Sequence, residues 1–408
     1  MGQTLKEIAK TLRGTDKKVQ LIYAFNGSGK TRLSREFKEL VSPKSEDEDI
    51  EDENKTKVLY YNAFTEDLFY WDNDLEGDVM RKLLIQRNNY TDWVLRVNGK
   101  GVRAVDLFQY YTGSKITPLF NPEYRKKDAD DPNKEIVVPA FSEVGFSLQV
   151  GDDRLDNLKI SKGEESNFVW SIFYSILEEA ISNIDEMNPS DDEENPFGEL
   201  EYIFIDDPIT SLDDNHLIKL AVDLASLVKS SKFENNNGLK FIIATHNPLF
   251  YNVMHNELRN DLYKSLPDGT RRRIYKRDQF KAHRLSKNQD GTFNRRDQSN
   301  DRPFAYHLFL LSELEKVTQE GGVEKYHFNH LRNVLEKTAT FTGHKVWKEL
   351  LPDSQKDFAN RILNLNSHSA HSGEETSEIT PEDTQKLSEI VQHVIAKFDF
   401  RPQENLNA

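Results

Sequence analysis

The chain has 408 residues, of which 37% are hydrophobic and 11% aromatic, so it is long enough for two or three domains with buried cores. It contains no cysteine, which excludes disulfides, thiolate metal sites and a catalytic thiol and fits a cytoplasmic location. No stretch reaches the roughly 20 apolar residues of a membrane-spanning helix, so no membrane partner is expected. The formal net charge of -15 argues against nonspecific binding of nucleic acid over the whole surface. Contact with nucleic acid would therefore depend on a local basic patch.

The first predicted strand, from Val19 to Ala24, leads directly into a phosphate-binding loop and then a helix from about Lys30 to Leu40. The segment AFNGSGKT fits the pattern G-x-x-x-x-G-K-[ST], except that Ala24 replaces the first glycine. In such loops backbone N–H groups and the lysine contact phosphates, and the hydroxyl residue ligates Mg²⁺. ATP and GTP fit equally, since these contacts are to phosphates. The predicted nucleotide-binding residues are Asn26, Gly27, Ser28, Gly29, Lys30, Thr31 and Arg32.

A second apolar strand, from Glu201 to Asp206, ends in paired carboxylates. Asp206 is predicted to hold Mg²⁺ together with Thr31, and Asp207 is predicted to act as the catalytic carboxylate beside the attacking water. ATPases of the ABC class usually have glutamate at this second position, so the shorter Asp207 puts the rate of hydrolysis in question.

Two further segments resemble ABC motifs that follow this strand. His246, after the apolar run from Leu239 to Thr245, resembles the switch histidine that contacts the γ-phosphate. Residues 211–213, Ser-Leu-Asp, resemble the D-loop.

The segment ISKGEES, at residues 160–166, resembles the ABC signature LSGGQ at the start of a helix predicted from Gly163 to Ile184. Ser161, Gly163 and Glu164 are predicted to contact nucleotide bound by the loop of a second copy. The order of the motifs therefore predicts an α/β ABC-type P-loop ATPase domain over residues 1–265, with a loop or insert at about 86–134. It also predicts a homo-oligomer, either a dimer or a dimer of dimers.

A basic segment, residues 266–303, follows the predicted ATPase domain. Residues 271–302 contain eleven Lys or Arg against four Asp, which suits contacts with phosphates. Tyr275, Phe280 and Phe293 are interleaved with these charges and are predicted to stack on unpaired bases. The segment is therefore predicted to recognise a substrate RNA, although a solvated basic loop would have the same composition.

The last segment, residues 304–408, is predicted to be an all-α domain. Arg332 and Glu336 lie four residues apart and share a helix face, as surface ion pairs commonly do. Arg361 and His368 lie seven apart and share a face if their helix extends that far. Arginine, glutamate and histidine are the groups that a metal-independent ribonuclease needs: a base for the 2′-hydroxyl, an acid for the leaving 5′-oxygen and a cation for the phosphorane.

Taken together, YAFNGSGKTRLSREFK, FIDDPITSLDDNHLI, THNPLFYNV, YHFNHLRNVLEKTA and the SHS segment resemble bacterial anticodon nucleases of the PrrC family over nearly the whole chain. The resemblance implies cleavage of a tRNA, typically the lysine acceptor, on the 5′ side of the wobble nucleotide. It implies Arg332, Glu336 and His368 as catalytic residues, and the segment from Arg361 to His368 also resembles the signature of HEPN ribonucleases. It further implies a type I DNA restriction-modification complex as silencing partner, and an anti-phage response that blocks translation.

Several alternatives remain at this level. Glu336 and His368 could each be the base or the acid, and His371 could replace His368 if the helix register differs. A rival function is a DNA-sensing ABC ATPase whose helical domain only binds and controls a separate nuclease or toxin. Another is a DNA-repair ATPase of the recombination type, in which the basic segment contacts duplex DNA.

Overall fold

A computed structural model of the chain describes residues 2–43, 57–62, 69–72, 81–86, 94–95, 99–127, 133–186, 196–208, 214–235, 237–288, 290–298, 305–356, 358 and 379–401. The chain divides into two compact units, Met1–Pro303 and Phe304–Ala408. The helices are α1 (Leu5–Arg13), α2 (Lys30–Val41), α3 (Gly101–Thr112), α4 (Lys162–Glu186), α5 (Asp214–Ser230), α6 (Pro248–Leu258), α7 (Tyr306–Glu320), α8 (Lys325–Thr342) and α9 (Pro381–Phe398).

The described strands all lie in the first unit, Met1–Pro303. They are β1 (Val19–Ala24), β2 (Val58–Tyr61), β3 (Phe69–Asp72), β4 (Lys82–Ile85), β5 (Ile116–Phe120), β6 (Tyr124–Lys127), β7 (Glu135–Val138), β8 (Glu143–Val150), β9 (Asp153–Leu155), β10 (Tyr202–Asp206), β11 (Phe233–Glu234), β12 (Asn237–Gly238), β13 (Lys240–Thr245), β14 (Leu262–Ser265), β15 (Arg271–Tyr275), β16 (Phe280–Lys287) and β17 (Phe293–Gln298).

The central sheet of the first unit has six strands in the order β17-β16-β1-β13-β10-β2. All neighbouring pairs are parallel except β16 and β17, which are antiparallel. Strands β1 and β10 are buried along their whole length, as expected for a parallel sheet covered on both faces. Because the carboxyl ends of parallel strands lie at one edge, the segments that follow β1, β10 and β13 converge there.

Helices α1 and α2 contribute to a hydrophobic core cluster beside this sheet. Their apolar side chains pack with those of β1, β10 and β13 in one buried cluster. At the start of α1, Thr4 and Glu7 form a reciprocal capping box, with the Thr4 N–H donating to Glu7 at 2.7 Å. A cap of this kind stabilises a helix by about 1 kcal/mol. The packing holds α2, and the phosphate loop before it, against the sheet.

A second sheet, of order β3-β4-β8-β5 with β9 paired to β8, is antiparallel and packs on α3 and α4. The rings of Phe108, Phe146 and Phe168 join these elements, with centroids 5.3 to 6.1 Å apart. The residues between 86 and 134 that the structure describes are therefore folded elements and not a loop, and the insert expected there stays a prediction. This region supplies α3 and β5, because its apolar side chains pack against α4.

The prediction for the basic segment at 266–303 also needs correction, because this segment is not a separate element after the ATPase unit. Strand β15 pairs with β14 in a hairpin, while β16 joins β1 and β17 closes that edge of the central sheet. Tyr275, Phe280 and Phe293 are 0%, 1% and 4% exposed, so they pack in the interior and are not free to stack on bases. The segment thus belongs to the sheet that carries the phosphate loop.

The described part of the second unit is helical, formed by α7, α8 and α9 with short 3-10 turns at Trp347–Leu350 and Asp353–Gln355. Helical periodicity in the sequence predicts helices at 304–319, 326–341, 354–365 and 381–398, so α7 and α8 agree with the prediction to within a few residues and α9 has the predicted bounds. The helix predicted from Ser354 to Leu365 lies mostly outside the described residues. Among the described helices, none is long and apolar enough to cross a membrane.

Candidate functional site

The phosphate loop connects β1 to α2 and depends on two glycines in the left-handed backbone region. Gly27 has φ of 78° and Gly29, at the start of α2, has φ of 89°. A side chain at Gly29 would also meet the ring of Phe293 at 2.9 Å. Ser28 is buried, and its N–H donates to the carbonyl of Phe25 at 3.2 Å. The loop is therefore tightly turned, as a cradle of N–H groups for phosphate requires.

Lys30 lies in the first turn of α2 and is 7% exposed. Its Nζ donates to the main-chain oxygens of Ala24 and Phe25, each at 3.2 Å, and lies 3.1 Å from Asp207 Oδ2. A bound phosphate would compete with Asp207 for this cation. The predicted loop residues Asn26 and Arg32 are both exposed beside it.

Thr31 and Asp206 meet at the edge of the sheet, as the magnesium prediction requires. Thr31 Oγ1 donates to Asp206 Oδ2 at 2.7 Å, while the buried Oδ1 has no hydrogen-bond partner in the described residues. Burial raises the pKa of Asp206 to about 6, and the nearby Asp207 also raises it. A hydroxyl and a carboxylate with a free buried lone pair fit Mg²⁺, which prefers oxygen ligands. Thr31 and Asp206 would hold the ion, and the bound Mg²⁺ would neutralise phosphate charge.

Asp207 lies between a cation and an imidazole. Its Oδ1 is 2.7 Å from His246 Nδ1 and accepts the His246 N–H at 2.8 Å, while Oδ2 faces Lys30. Burial alone would raise the pKa of Asp207, but hydrogen bonding from His246 and the charge of Lys30 outweigh burial and lower it. The carboxylate therefore stays ionised and can accept a hydrogen bond from a water and orient it. Its φ of 49° places it in the left-handed region, where aspartate is better tolerated than most residues.

Three polar residues near Asp206 were missed by the sequence analysis. Ser34 Oγ contacts Tyr60 Oη, and Asn62 Nδ2 donates to the same hydroxyl at 2.9 Å. Burial raises the pKa of Tyr60 to about 12. Asn62 comes directly after strand β2, and β2 pairs with β10, which ends in Asp206. A polar residue at the end of a strand is therefore the sequence signal that could have indicated this group.

The signature segment forms the N-terminus of α4. Ser161 N–H and Oγ both lie 2.8 Å from Glu164 Oε2, and the Glu164 N–H donates back to Ser161 Oγ at 3.3 Å. Ser161 is exposed and Gly163 is partly exposed, so the cap faces solvent. A helix N-terminus of this kind attracts phosphate. The D-loop candidate at 211–213 lies outside the described residues.

In the second unit, Arg332 and Glu336 lie on one face of α8, as their spacing predicted. Arg332 Nε donates to Glu336 Oε1 at 2.7 Å, and the two side chains are 40% and 45% exposed. Both groups are therefore ordered by each other and accessible to a ligand. Arg361, His368 and His371 lie outside the described residues.

Comparison with known proteins decides the family. Residues 140–396 match the family model described as an AAA domain. The chain is also 42% identical, over 435 aligned residues and 100% of both proteins, to a protein from Escherichia coli called anticodon nuclease. This chain belongs to the anticodon nuclease family.

Three solved structures of Smc heads are also similar to this member of the anticodon nuclease family. An Smc head domain with a coiled coil and joint, from Pyrococcus yayanosii, has 14% identity and a TM-score of 0.27, covering 51% of this chain and 28% of that one. An Smc head with an extended coiled coil bound to the C-terminal domain of ScpA, from Pyrococcus furiosus, has 14% identity and a TM-score of 0.27, covering 57% and 39%. An SmcHead bound to the C-winged helix domain of ScpA has 11% identity and a TM-score of 0.31, covering 70% and 91%. These scores are too low to support an argument about fold or partners.

For an anticodon nuclease with an AAA domain, the nucleotide site is the part that the described residues assemble most fully. The loop, the two carboxylates and His246 come together although they lie far apart in sequence. The family and the domain imply nucleotide binding, usually with Mg²⁺, and the residues present fit both. ATP and GTP are not distinguished by these contacts.

Proposed function

We propose that this protein is a nucleotide-regulated ribonuclease that cleaves a tRNA in its anticodon loop, and that this tRNA is tRNA-Lys. The observation that carries the proposal is the ordered Arg332–Glu336 pair on an exposed face of α8, in a chain 42% identical over its whole length to an anticodon nuclease. Arg332, Glu336 and His368 are the proposed catalytic residues. The all-α second unit would then be the nuclease domain, similar to HEPN ribonucleases.

The reaction needs no metal in this scheme. A base, either Glu336 or His368, removes the proton of the 2′-hydroxyl, and the 2′-oxygen forms a bond to phosphorus. The bond from phosphorus to the 5′-oxygen breaks, and the other of the two groups protonates that oxygen as it leaves. The Arg332 guanidinium stabilises the negative charge of the phosphorane. The products are a 2′,3′-cyclic phosphate and a 5′-hydroxyl.

The nucleotide site is the proposed regulator. ATP or GTP with Mg²⁺ would bind the loop of one copy, and Ser161, Gly163 and Glu164 of a second copy would close the site in a dimer or a dimer of dimers. Asp207 would activate water, so hydrolysis would open the site again. In the cell, a type I DNA restriction-modification complex would silence the nuclease until phage infection releases it. Cleavage of the tRNA would then block translation in the cytoplasm.

The basic hairpin of β14 and β15 is the proposed RNA contact on the first unit. Arg271, Arg272 and Arg273 are exposed in succession along β15, and Lys264 lies opposite Arg272 on β14. Like charges directly opposite each other are unfavourable unless an anion lies near them. Glu234 pairs with Arg272 at 3.0 Å, and the remaining charge suits an RNA backbone.

The test compares tRNA cleavage by the wild-type protein, Glu336→Gln and Glu349→Gln. Glu349 is an exposed glutamate of the same unit, so its variant controls for loss of a surface charge. Loss of a proton-transfer group lowers such a rate by about 10² to 10⁴-fold. We expect that loss for Glu336→Gln and wild-type cleavage for the control. Equal cleavage by all three proteins would contradict the catalytic role of Glu336, and no cleavage by the wild-type protein would contradict the nuclease function and favour an ATPase that controls a separate nuclease.

A further inference from the structure

Glu336 borders a cavity of 550 Å³ in the second unit, formed by the end of α8 and the segment that follows it. Ala339 and Thr340 on α8 line one side, and residues 344–348 line the other. Its walls include the apolar side chains of Val346 and Trp347 as well as charged groups. The volume lies within the ordinary range for small-ligand sites, about 300 to 1,000 Å³.

His344 is held at the rim of this cavity by the backbone. Helix α8 ends in a Schellman motif, in which Gly343 has φ of 78°, its N–H donates to the Thr340 carbonyl, and the His344 N–H donates to the Ala339 carbonyl at 2.9 Å. The position of His344 relative to Glu336 therefore depends on main-chain hydrogen bonds, and a substitution of the His344 side chain leaves them in place.

A side-chain hydrogen bond sets the tautomer of His344. Thr342 Oγ1 uses its single proton to donate to the Thr338 carbonyl at 2.7 Å. It can therefore only accept from His344 Nδ1, which lies 2.8 Å away. The neutral imidazole then carries its proton on Nδ1, and Nε2 becomes a hydrogen-bond acceptor.

Charge in the cavity suits an RNA backbone beside the catalytic pair. Lys345 and Lys348 line it together with Glu336, and Lys345 has no ion-pair partner in the described residues. Apolar walls suit a base, two lysines suit its phosphates, and an acceptor at His344 suits a base N–H or a ribose hydroxyl. A peptide or a small dicarboxylate would match this combination less well.

We infer that this cavity binds the nucleotide next to the cleaved bond, with His344 Nε2 accepting a hydrogen bond from that nucleotide and Lys345 contacting its phosphate. The inference rests on the proposed nuclease function and assigns the cavity a role in substrate binding. His344 is a substrate-binding residue in this account and transfers no proton.

The experiment measures tRNA binding in a Glu336→Gln background, which prevents cleavage during the titration. Protein is titrated into labelled total bacterial tRNA, and binding is measured by fluorescence anisotropy. The titration is then repeated with the single tRNA that the wild-type protein cuts. Adding His344→Ala is expected to weaken binding up to about tenfold, since one hydrogen bond contributes about 0.5 to 1.5 kcal/mol. Adding His344→Gln, which retains an acceptor, is expected to stay within about threefold of the background. Adding Glu349→Gln is the matched control and should change nothing.

Two more variants separate binding from a structural effect. Thr342→Val removes the acceptor that fixes the His344 tautomer, so it should weaken binding in the same direction as His344→Ala but less. Lys345→Ala should lower the slope of log affinity against log salt by about 0.7 to 0.9, the value for one phosphate contact.

The outcomes distinguish the two proposals. If the wild-type protein cuts tRNA but His344→Ala binds it normally, the cavity assignment is wrong and the nuclease function stands. If Glu336→Gln binds no tRNA and the wild-type protein cuts none, both proposals are wrong. Equal losses for the alanine and glutamine variants at His344 would also overturn the proposed acceptor role.

Discussion

At the residue scale, the ionisation of Asp206 links the nucleotide site to pH. This carboxyl is 3% exposed and its pKa is raised to about 6 by burial, so the neutral form prevails below that pH. A protonated carboxyl is a poor Mg²⁺ ligand, because the ion binds the deprotonated form.

We therefore predict that Mg²⁺ affinity falls about tenfold per pH unit below pH 6 and levels off above it. The measurement is a Mg²⁺ titration of nucleotide binding, followed with a fluorescent ATP analogue between pH 5 and pH 8. Asp206→Asn should bind Mg²⁺ weakly over the whole range. A wild-type affinity that does not change between pH 5 and pH 7 would contradict the raised pKa, and wild-type Mg²⁺ affinity of Asp206→Asn would show that Asp206 is not the ligand.

Individual side chains differ in how far the sequence could predict them. The contacts of Thr31 with Asp206 and of His246 with Asp207 follow from strand ends in a parallel sheet, so motif order was enough. The contact between Ser34 and Tyr60 depends on β2 lying beside β10, which no motif specifies. The positions of Arg332 and Glu336 followed from helical spacing, but the cavity beside Glu336 depends on how the chain turns after Gly343.

At the scale of elements, the basic strands show why composition alone was misleading. In β16, Phe280, Ala282 and Leu285 are buried while the charged residues between them are partly exposed. The interleaving of aromatic and basic residues therefore marks a strand that buries its apolar side chains between β1 and β17, rather than a surface that stacks bases. The hairpin of β14 and β15 stands outside the central sheet, and Arg271, Arg272 and Arg273 are exposed in succession on it, the last two in ion pairs with Glu234 and Asp261.

This division of the basic segment predicts which charges matter for RNA. The double variant Arg271→Ala/Arg272→Ala should weaken tRNA binding and reduce the slope of log affinity against log salt by up to about 2, roughly 0.9 per lost contact. Lys6→Ala/Lys10→Ala, which removes two exposed charges from α1, is the matched control. The ion pair of Arg272 with Glu234 is exposed and contributes little to stability. A salt slope that changes equally in both double variants would contradict a specific role for the hairpin.

At the scale of the whole molecule, the proposed nucleotide site takes residues from two copies of the chain. Lys30→Ala removes the phosphate-binding cation from one side of the site, and Ser161→Arg blocks the other side. Each variant alone should lose nucleotide hydrolysis. In an equal mixture half of the dimers are mixed, and each mixed dimer has one intact site, so up to about a quarter of wild-type activity should return. Activity no higher than the sum of the separate variants would argue against a site shared between copies.

The central claim is that the helical unit cuts tRNA, and fragment ends test it most directly. Purified wild-type protein and His368→Ala are incubated with total bacterial tRNA and ATP, and the 3′ and 5′ ends of the products are mapped. We predict cuts in a single anticodon loop, with cyclic-phosphate and 5′-hydroxyl ends that are absent with the variant. If the tRNA stays uncut in a reaction where the wild-type protein hydrolyses ATP, the claim is contradicted. The protein would then be an ATPase that regulates another protein.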